Sequence, residues 1–246
     1  LLDDKKLTSA FERILDYGTI DGVPLNRSKF SRDFMVCLLR TRFLFDKYII
    51  KREYANESSD GEWSLKSLFV SGQQKNKKAY FKNTRFAAYK QWESTSKWYH
   101  PDNLMLQAAL RVSYTSPKVM HWITQLLIWL TRNADSLDTE IPYYTDVINE
   151  IAKQPVRDFL DNKDYSLGVN TPHVVLNYLD FLLWRRNRNV DFDFEFRNSV
   201  EHWYPRNPSE GTFARWEDGV DRFGNLCLIQ RNINSRFSNM SPEAKK

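Results

Sequence analysis

Near the carboxy end stand Val200-Glu201-His202, Gly224-Asn225-Leu226, Asn234 and Lys245. Asn225 follows His202 by 23 residues and Asn234 follows Asn225 by nine. An imidazole, a carboxylate and an amide are the parts that one-metal phosphodiester hydrolysis requires. A neutral imidazole takes the proton from attacking water. Oxygen ligands from a carboxylate and an amide suit a hard divalent ion, which neutralises charge growing on the leaving oxygen. Glu201, His202 and Asn234 have the chemistry for those roles. Neighbouring strand residues face opposite ways, so Glu201 and His202 can cooperate only where the strand ends or bulges. The plain alternatives are a core histidine at 202, a solvated strand residue at 201 and a helix N-cap at 234.

Those residues need a scaffold, and the pattern supplies one. Asp191-Phe192-Asp193-Phe194-Glu195-Phe196 alternates strictly, which predicts a strand with a wet acidic face. Ser199 to Trp203 reads as a second strand and Gly224 to Ile229 as a third. Asn232 onward reads as a helix truncated by the chain end. Asp218 and Asp221 read as loop acids. Before residue 190 the period is helical. A helix over Asp33–Glu53 would place Phe34, Leu38, Phe45 and Ile49 on one stripe. Asn56 to Gly61 reads as a turn. Further helices are expected over Asn103–Val112, from Ser116-Pro117 to about Arg132, over Tyr143–Asp161 with a break at Pro155, and after Thr171-Pro172. That last helix would bury Val175, Leu176, Leu179, Leu182 and Leu183. The fold class is therefore mainly α: a helical body over 1–190, then a small C-terminal ββα unit over 191–246.

The chain has 246 residues, of which 41 % are hydrophobic, enough for a sizeable core. Only 8 are glycine, which excludes collagen-like and low-complexity classes. Cys37 and Cys227 are the only cysteines, too few for a disulfide framework or a four-cysteine zinc site. This suits a reducing cytoplasm. The longest apolar run, Val119 to Leu130, is too short to span a bilayer. The net charge is +5. Residues 191–246 hold 8 basic and 9 acidic groups, so the remaining 28 basic and 22 acidic groups put the excess in the helical body. The first residue is not Met, and the chain reads as a piece of a longer protein.

Taken together, Glu201-His202 with Pro205, Gly224-Asn225-Leu226, Asn234-Ser235-Arg236 and Lys245 resemble the HNH (His-Me finger, ββα-metal) nuclease domain at the C-terminus of GmrSD-type modification-dependent restriction endonucleases. The stretches Phe43 to Tyr48 and Thr171-Pro172-His173 resemble the helical region that precedes it. The resemblance implies a metal-dependent endonuclease acting on foreign or modified DNA, in bacterial antiviral defence. It implies His202 as general base, Asn225 as the residue holding the loop and the His orientation, and Glu201 with Asn234 as ligands of one Mg²⁺ or Mn²⁺. Arg236 and Lys245 would contact phosphate. No structural zinc is expected, since Cys227 stands alone. A ParB-like NTPase half would lie upstream.

Segment 75–97 adds Lys75, Lys77, Lys78, Lys82, Arg85, Lys90 and Lys97 with interleaved aromatics. As a nucleic-acid contact these would neutralise phosphates and stack on bases. As a solvated helix face they would do neither. Arg185, Arg186 and Arg188 read as cations at a helix C-terminus. Two other function classes stay open: a non-catalytic DNA-binding module, and an interaction scaffold that docks a partner chain or forms oligomers.

Overall fold

The computed structural model describes residues 4–20, 22–53, 62–73, 76–86, 101–134, 144–163, 165–188, 190, 192–208, 213–216 and 218–245. They are mainly helical, with three small sheets. The chain forms two compact units, Leu1–Phe45 and Asp46–Lys246.

In the first unit, α1 (Asp4–Tyr17) leads through the two-residue strands β1 (Thr19–Ile20) and β2 (Val23–Pro24) into α2 (Arg27–Tyr48), whose last residues, from Asp46, belong to the second unit. The Asn26 carboxamide accepts from the Lys29 N–H and caps α2. The helix expected over 33–53 thus starts earlier, and it stops at Tyr48. Phe34 packs edge-on against Phe11, with centroids 4.9 Å apart. Phe34 and Leu38 of the expected stripe stay exposed, as do Met35 and Leu39 beside it, whereas Ile49 at its far end is enclosed.

The second unit corrects the expectation of uninterrupted helices. An antiparallel sheet is built from β3 (Lys51–Glu53), β4 (Glu62–Ser71) and β5 (Lys78–Phe86). A register shift between Leu65 and Lys66 breaks the two-residue period. Trp63, Ser64 and Leu65 are buried in succession, so no alternation betrays the strand. The turn expected over 56–61 lies outside the described residues, as do Lys75, Lys90 and Lys97.

Helix α3 (Pro101–Ser113) is buried at nearly every position from Asn103 to Leu110, as befits a central helix. It packs against α5 (Tyr144–Asp161) and α6 (His173–Arg186). Its Gln107 is fully enclosed, accepting from the Ile50 N–H and donating to the Tyr48 carbonyl, Asn103 and the Tyr144 hydroxyl. Ser116 caps a 3₁₀ turn, Pro117–Val119, ahead of α4 (His121–Asn133). Helix α5 runs through Pro155 without ending. In α6, Val175 and Leu176 are buried as expected, but Leu179 and Leu183 are exposed. Thr171 donates its hydroxyl to the Gly168 carbonyl and does not cap that helix. Among the described residues, no helix is long and apolar enough to cross a membrane.

Residues 192–198 form no strand, despite their alternation. Nor does the alternation survive as burial: Phe194 is enclosed, while Phe196, which would share its strand face, is exposed. The Phe194 carbonyl accepts from the Trp63 indole (2.6 Å) and its N–H donates to the Asp193 carboxylate (2.7 Å). Side chains occupy the groups that a ladder would need.

The tail then forms β6 (Ser199–His202) and β7 (Leu226–Ile229), antiparallel, followed by α7 (Arg231–Phe237). Gly224 and Asn225 lie in a 3₁₀ turn, Phe223–Asn225, so the third expected strand begins two residues late. Helix α7 closes at Ser238 (φ 44°), whose N–H donates to the Asn234 carbonyl. The chain end therefore does not truncate it, and residues 241–245 turn back towards the hairpin.

Candidate functional site

The hairpin lies on α6 through Val200, Leu228 and Leu176, with Phe223 and Leu226 packed around them. Arg197 fastens the same join. Its guanidinium pairs with Asp180 (2.7 Å) and donates to Asn177 (3.0 Å), both on α6. Burial pushes the Asp180 carboxyl above its ordinary range, and the Arg197 charge opposes that rise.

Strand alternation then divides the sequence-predicted residues between two faces. Val200 and His202 share the face towards α6, opposite Leu228 and Leu226. Ser199 and Glu201 share the other face, opposite Ile229 and Cys227.

On the first face, His202 is buried, and its Nε2 lies 2.7 Å from Asp221 Oδ1. An ionised carboxylate only accepts, so the ring nitrogen facing it carries the proton. In the neutral ring this is the Nε2–H tautomer, with the lone pair on Nδ1. Asp221 is held in turn by the 165–168 loop. The Gly168 N–H donates to the Asp221 carbonyl (3.1 Å), and the Phe223 N–H donates to the Tyr165 carbonyl (2.7 Å). Gly168 sits at φ +55°, where a Cβ would approach Asp221 Oδ1 to 2.5 Å. Only glycine leaves that carboxylate its place. The sequence reading put Asp221 among loop acids; no spacing tied it to His202, and the Gly168 contact crosses more than fifty residues.

Asn225 is buried and spends its whole carboxamide on the backbone. Its Oδ1 accepts from the Tyr204 N–H (2.7 Å), and its Nδ2 donates to the carbonyls of Tyr204 (2.9 Å) and Val220 (2.8 Å). Its own carbonyl accepts from the Trp203 N–H (2.8 Å). The strand end carrying His202 is thereby fixed to the loop carrying Asp221.

On the second face, Lys245 Nζ donates to Glu201 Oε1 (2.6 Å) and to the His202 carbonyl (2.8 Å). The side chains are 0 % and 11 % exposed. Lys245, expected at a phosphate, is thus enclosed as the counter-charge of Glu201. Asn234 Nδ2 donates to Ser199 Oγ (2.5 Å), on the Glu201 face. Its carboxamide and the Glu201 carboxylate are hard oxygen donors on one side of the hairpin, and in type they suit a hard divalent ion. Among the described residues no three His, Cys, Asp or Glu side chains gather as a metal group. Cys227, across from Glu201, has its thiol pushed up by burial and then by the Glu201 charge. Glu201, paired with Lys245, and Asn234, bonded to Ser199, therefore lie on one face of the hairpin, and His202 with Asp221 on the other.

The expected nucleic-acid contacts are scattered. Arg236 is exposed on α7. Lys77 and Lys78 are exposed at the start of β5. Lys82 and Arg85 belong to β5, opposite Ser67 and Leu65 in register.

Beside the His202 cluster lies a pocket of ≈ 530 Å³ lined by Arg215, Trp216, Asp218, Arg222, Gly224 and Asn225.

Residues 153–246 match the family model described as GmrSD restriction endonucleases, C-terminal domain. The searches of curated proteins and of solved structures returned no significant match.

Proposed function

We propose, from residues 153–246 being the C-terminal domain of GmrSD restriction endonucleases, that this chain hydrolyses DNA phosphodiester bonds as an HNH nuclease in antiviral restriction. The observation that carries the reading is the His202–Asp221 pair, at the end of the first strand of a strand–strand–helix unit inside the matched region. With its proton held on Nε2, the ring offers Nδ1 to a water aligned on the scissile phosphate. Asn225 keeps the strand end and the Asp221 loop in register, so the ring orientation is set before substrate arrives. Glu201 and Asn234 would hold Mg²⁺ or Mn²⁺, which supplies charge neutralisation at the phosphate when bound. Lys245, which pairs with Glu201, would have to share that carboxylate or give it up. The part up to residue 190 would position the duplex through backbone contacts, with Lys77, Lys78, Lys82 and Arg85 at strand β5 as basic groups and Arg236 on α7 adding another. A ParB-like NTPase half in the same protein, foreign or modified DNA as substrate, and a cytoplasmic site of action complete the proposal.

The test is plasmid nicking with Mg²⁺, Mn²⁺ or EDTA, on unmodified and modified phage DNA. His202→Ala is expected to lose roughly 10²- to 10⁴-fold of the rate. Cleavage unchanged in His202→Ala would refute the assignment. One observation favours a second reading. Lys245 already neutralises Glu201, as it would in a DNA-binding module that uses no metal. That reading requires salt-sensitive DNA binding with no cleavage under any metal.

A further inference from the structure

The pocket beside His202 has an aromatic wall built to stay in place. Trp216 stacks on Tyr204, with centroids 4.4 Å apart and planes 10° from parallel. Phe213 meets Tyr204 edge-on at 5.4 Å. The Tyr204 hydroxyl bonds the Ala214 carbonyl, and Asn225 grips both backbone polar groups of Tyr204. Tyr204 covers one face of the Trp216 indole, yet the residue is 44 % exposed, so the other face is open.

The rest of the lining is cationic. Arg215 and Arg222 are exposed, and Asp218, the one acid among the described residues of the lining, pairs with Arg222 at 3.5 Å. Gly224 leaves the floor open, since a Cβ there would meet nothing within 4 Å. The pocket volume, ≈ 530 Å³, falls in the range of small-ligand sites. Tyr204 follows His202 by two residues, so its Cα lies within about 7.6 Å of that of His202.

An open indole face with guanidiniums around it, one short step from the general base, matches a base that has left its stack, with its flanking phosphates. We propose that this pocket takes an unstacked nucleobase of the DNA strand that His202 attacks. The inference rests on the nuclease reading for the identity of the polymer. The indole supplies stacking, which tolerates any base. Arg215 and Arg222 supply charge for the adjoining phosphates. Extruding a base from a duplex costs unpairing and unstacking, and that cost is least at a lesion, a mismatch or an unpaired position.

The test uses the intact protein in EDTA, with binding read by fluorescence anisotropy. One labelled duplex carries a single unpaired adenine, and a second carries an unpaired abasic residue at the same position. Wild type is expected to prefer the adenine duplex by roughly 5- to 150-fold, the range that one stacked base provides. Trp216→Ala is expected to bind both duplexes equally, and Trp216→Phe to restore most of the preference. Equal binding of the two duplexes by wild type overturns the proposal, as does a preference that Trp216→Ala retains. His202→Ala separates the two claims. If cleavage depends on His202 and the adenine preference is missing, only the pocket assignment falls. If the preference holds and cleavage ignores His202, the nuclease assignment falls and the pocket stands.

Discussion

Lys245→Met would isolate the cost of the buried pair behind the hairpin. The ammonium is 0 % exposed, and Glu201 is 11 % exposed by side chain. The lysine holds two acceptors, Glu201 Oε1 at 2.6 Å and the His202 carbonyl at 2.8 Å. Methionine fills similar space, so little cavity forms. What remains is a buried carboxylate and a buried carbonyl without their donor. Removing one partner of a buried ion pair costs ~3–5 kcal/mol. For a unit of this size, each kcal/mol moves the midpoint by about 2–4 °C, so the expected loss in Tm is about 6–20 °C. Urea and thermal unfolding measure it. Glu201→Gln combined with Lys245→Met removes both charges and should recover most of the loss, because the unpaired carboxylate dominates it. A single-variant loss below ~1 kcal/mol would refute the reasoning, since water would then be solvating Glu201 as it does surface pairs. The same variant tests the metal assignment without cleavage. If Glu201 and Asn234 accept a divalent ion, Mg²⁺ or Mn²⁺ should stabilise Lys245→Met protein more than wild type. Equal response in the two proteins would remove Glu201 from the ligand set.

Gly168→Ala should depress cleavage, because its Cβ would meet Asp221 Oδ1 at 2.5 Å and its φ is +55°. Asp221→Asn should lower kcat by roughly 10²-fold or more with KM near its wild-type value, if the carboxylate fixes the His202 tautomer; unchanged kcat in both variants would dismiss Asp221. Burial holds the His173 imidazole below its ordinary value. The unfolded chain then takes up a proton near pH 6.5 that the folded chain refuses, so His173 stabilises above that pH and the contribution is lost as pH falls below it. His173→Gln should flatten the decline in unfolding free energy between about pH 7 and 5; an unaltered slope contradicts this. Burial and Glu201 hold the Cys227 thiol up, so brief alkylation followed by mass spectrometry should label exposed Cys37 well before Cys227.

The helices were legible wherever an apolar period or a cap marked them. Pro101–Ser113, His121–Asn133, Tyr144–Asp161 and His173–Arg186 match the reading to within a few residues. The sheet of β3, β4 and β5 was not, because a register shift at Leu65/Lys66 and three consecutive buried residues erase the two-residue period. The alternation at 191–196 misled for the opposite reason. The letters alternate, but Phe194 is enclosed and Phe196 exposed, and the Trp63 indole and the Asp193 carboxylate take the Phe194 carbonyl and N–H that a ladder would use. In the site, spacing picked out His202, Asn225 and Asn234. It could not show that Lys245 turns inward, because a terminal lysine has the same letters whether it meets solvent or a buried carboxylate. Nor could it find Asp221, whose place depends on Gly168 in a distant loop.

Candidate groups on opposite faces of one hairpin raise a question of geometry, since a base and a metal must reach the same phosphate. The position of His202 in β6 bears on it. It is the last residue of the strand, paired with the first residue of β7. Beyond it the ladder is carried by a single bond, from the Trp203 N–H to the Asn225 carbonyl, and Asn225 takes over both polar groups of Tyr204. The hairpin therefore ends at an edge where both faces open onto the same loop. A phosphate lying across that edge could be approached by His202 from one side and by Glu201, the residue before it, from the other, while Asn234 bonds Ser199 at the far end of β6. On this arrangement Asn225 is the residue that makes the edge. Asn225→Ala should release Tyr204 and with it the Trp216 platform, so cleavage and the preference for an unpaired base should fall together. Asn225→Asp keeps the acceptor for the Tyr204 N–H and removes both donors, so it should recover only part of each. Loss of cleavage in Asn225→Ala with the base preference intact would show that the edge and the pocket are not coupled through this amide.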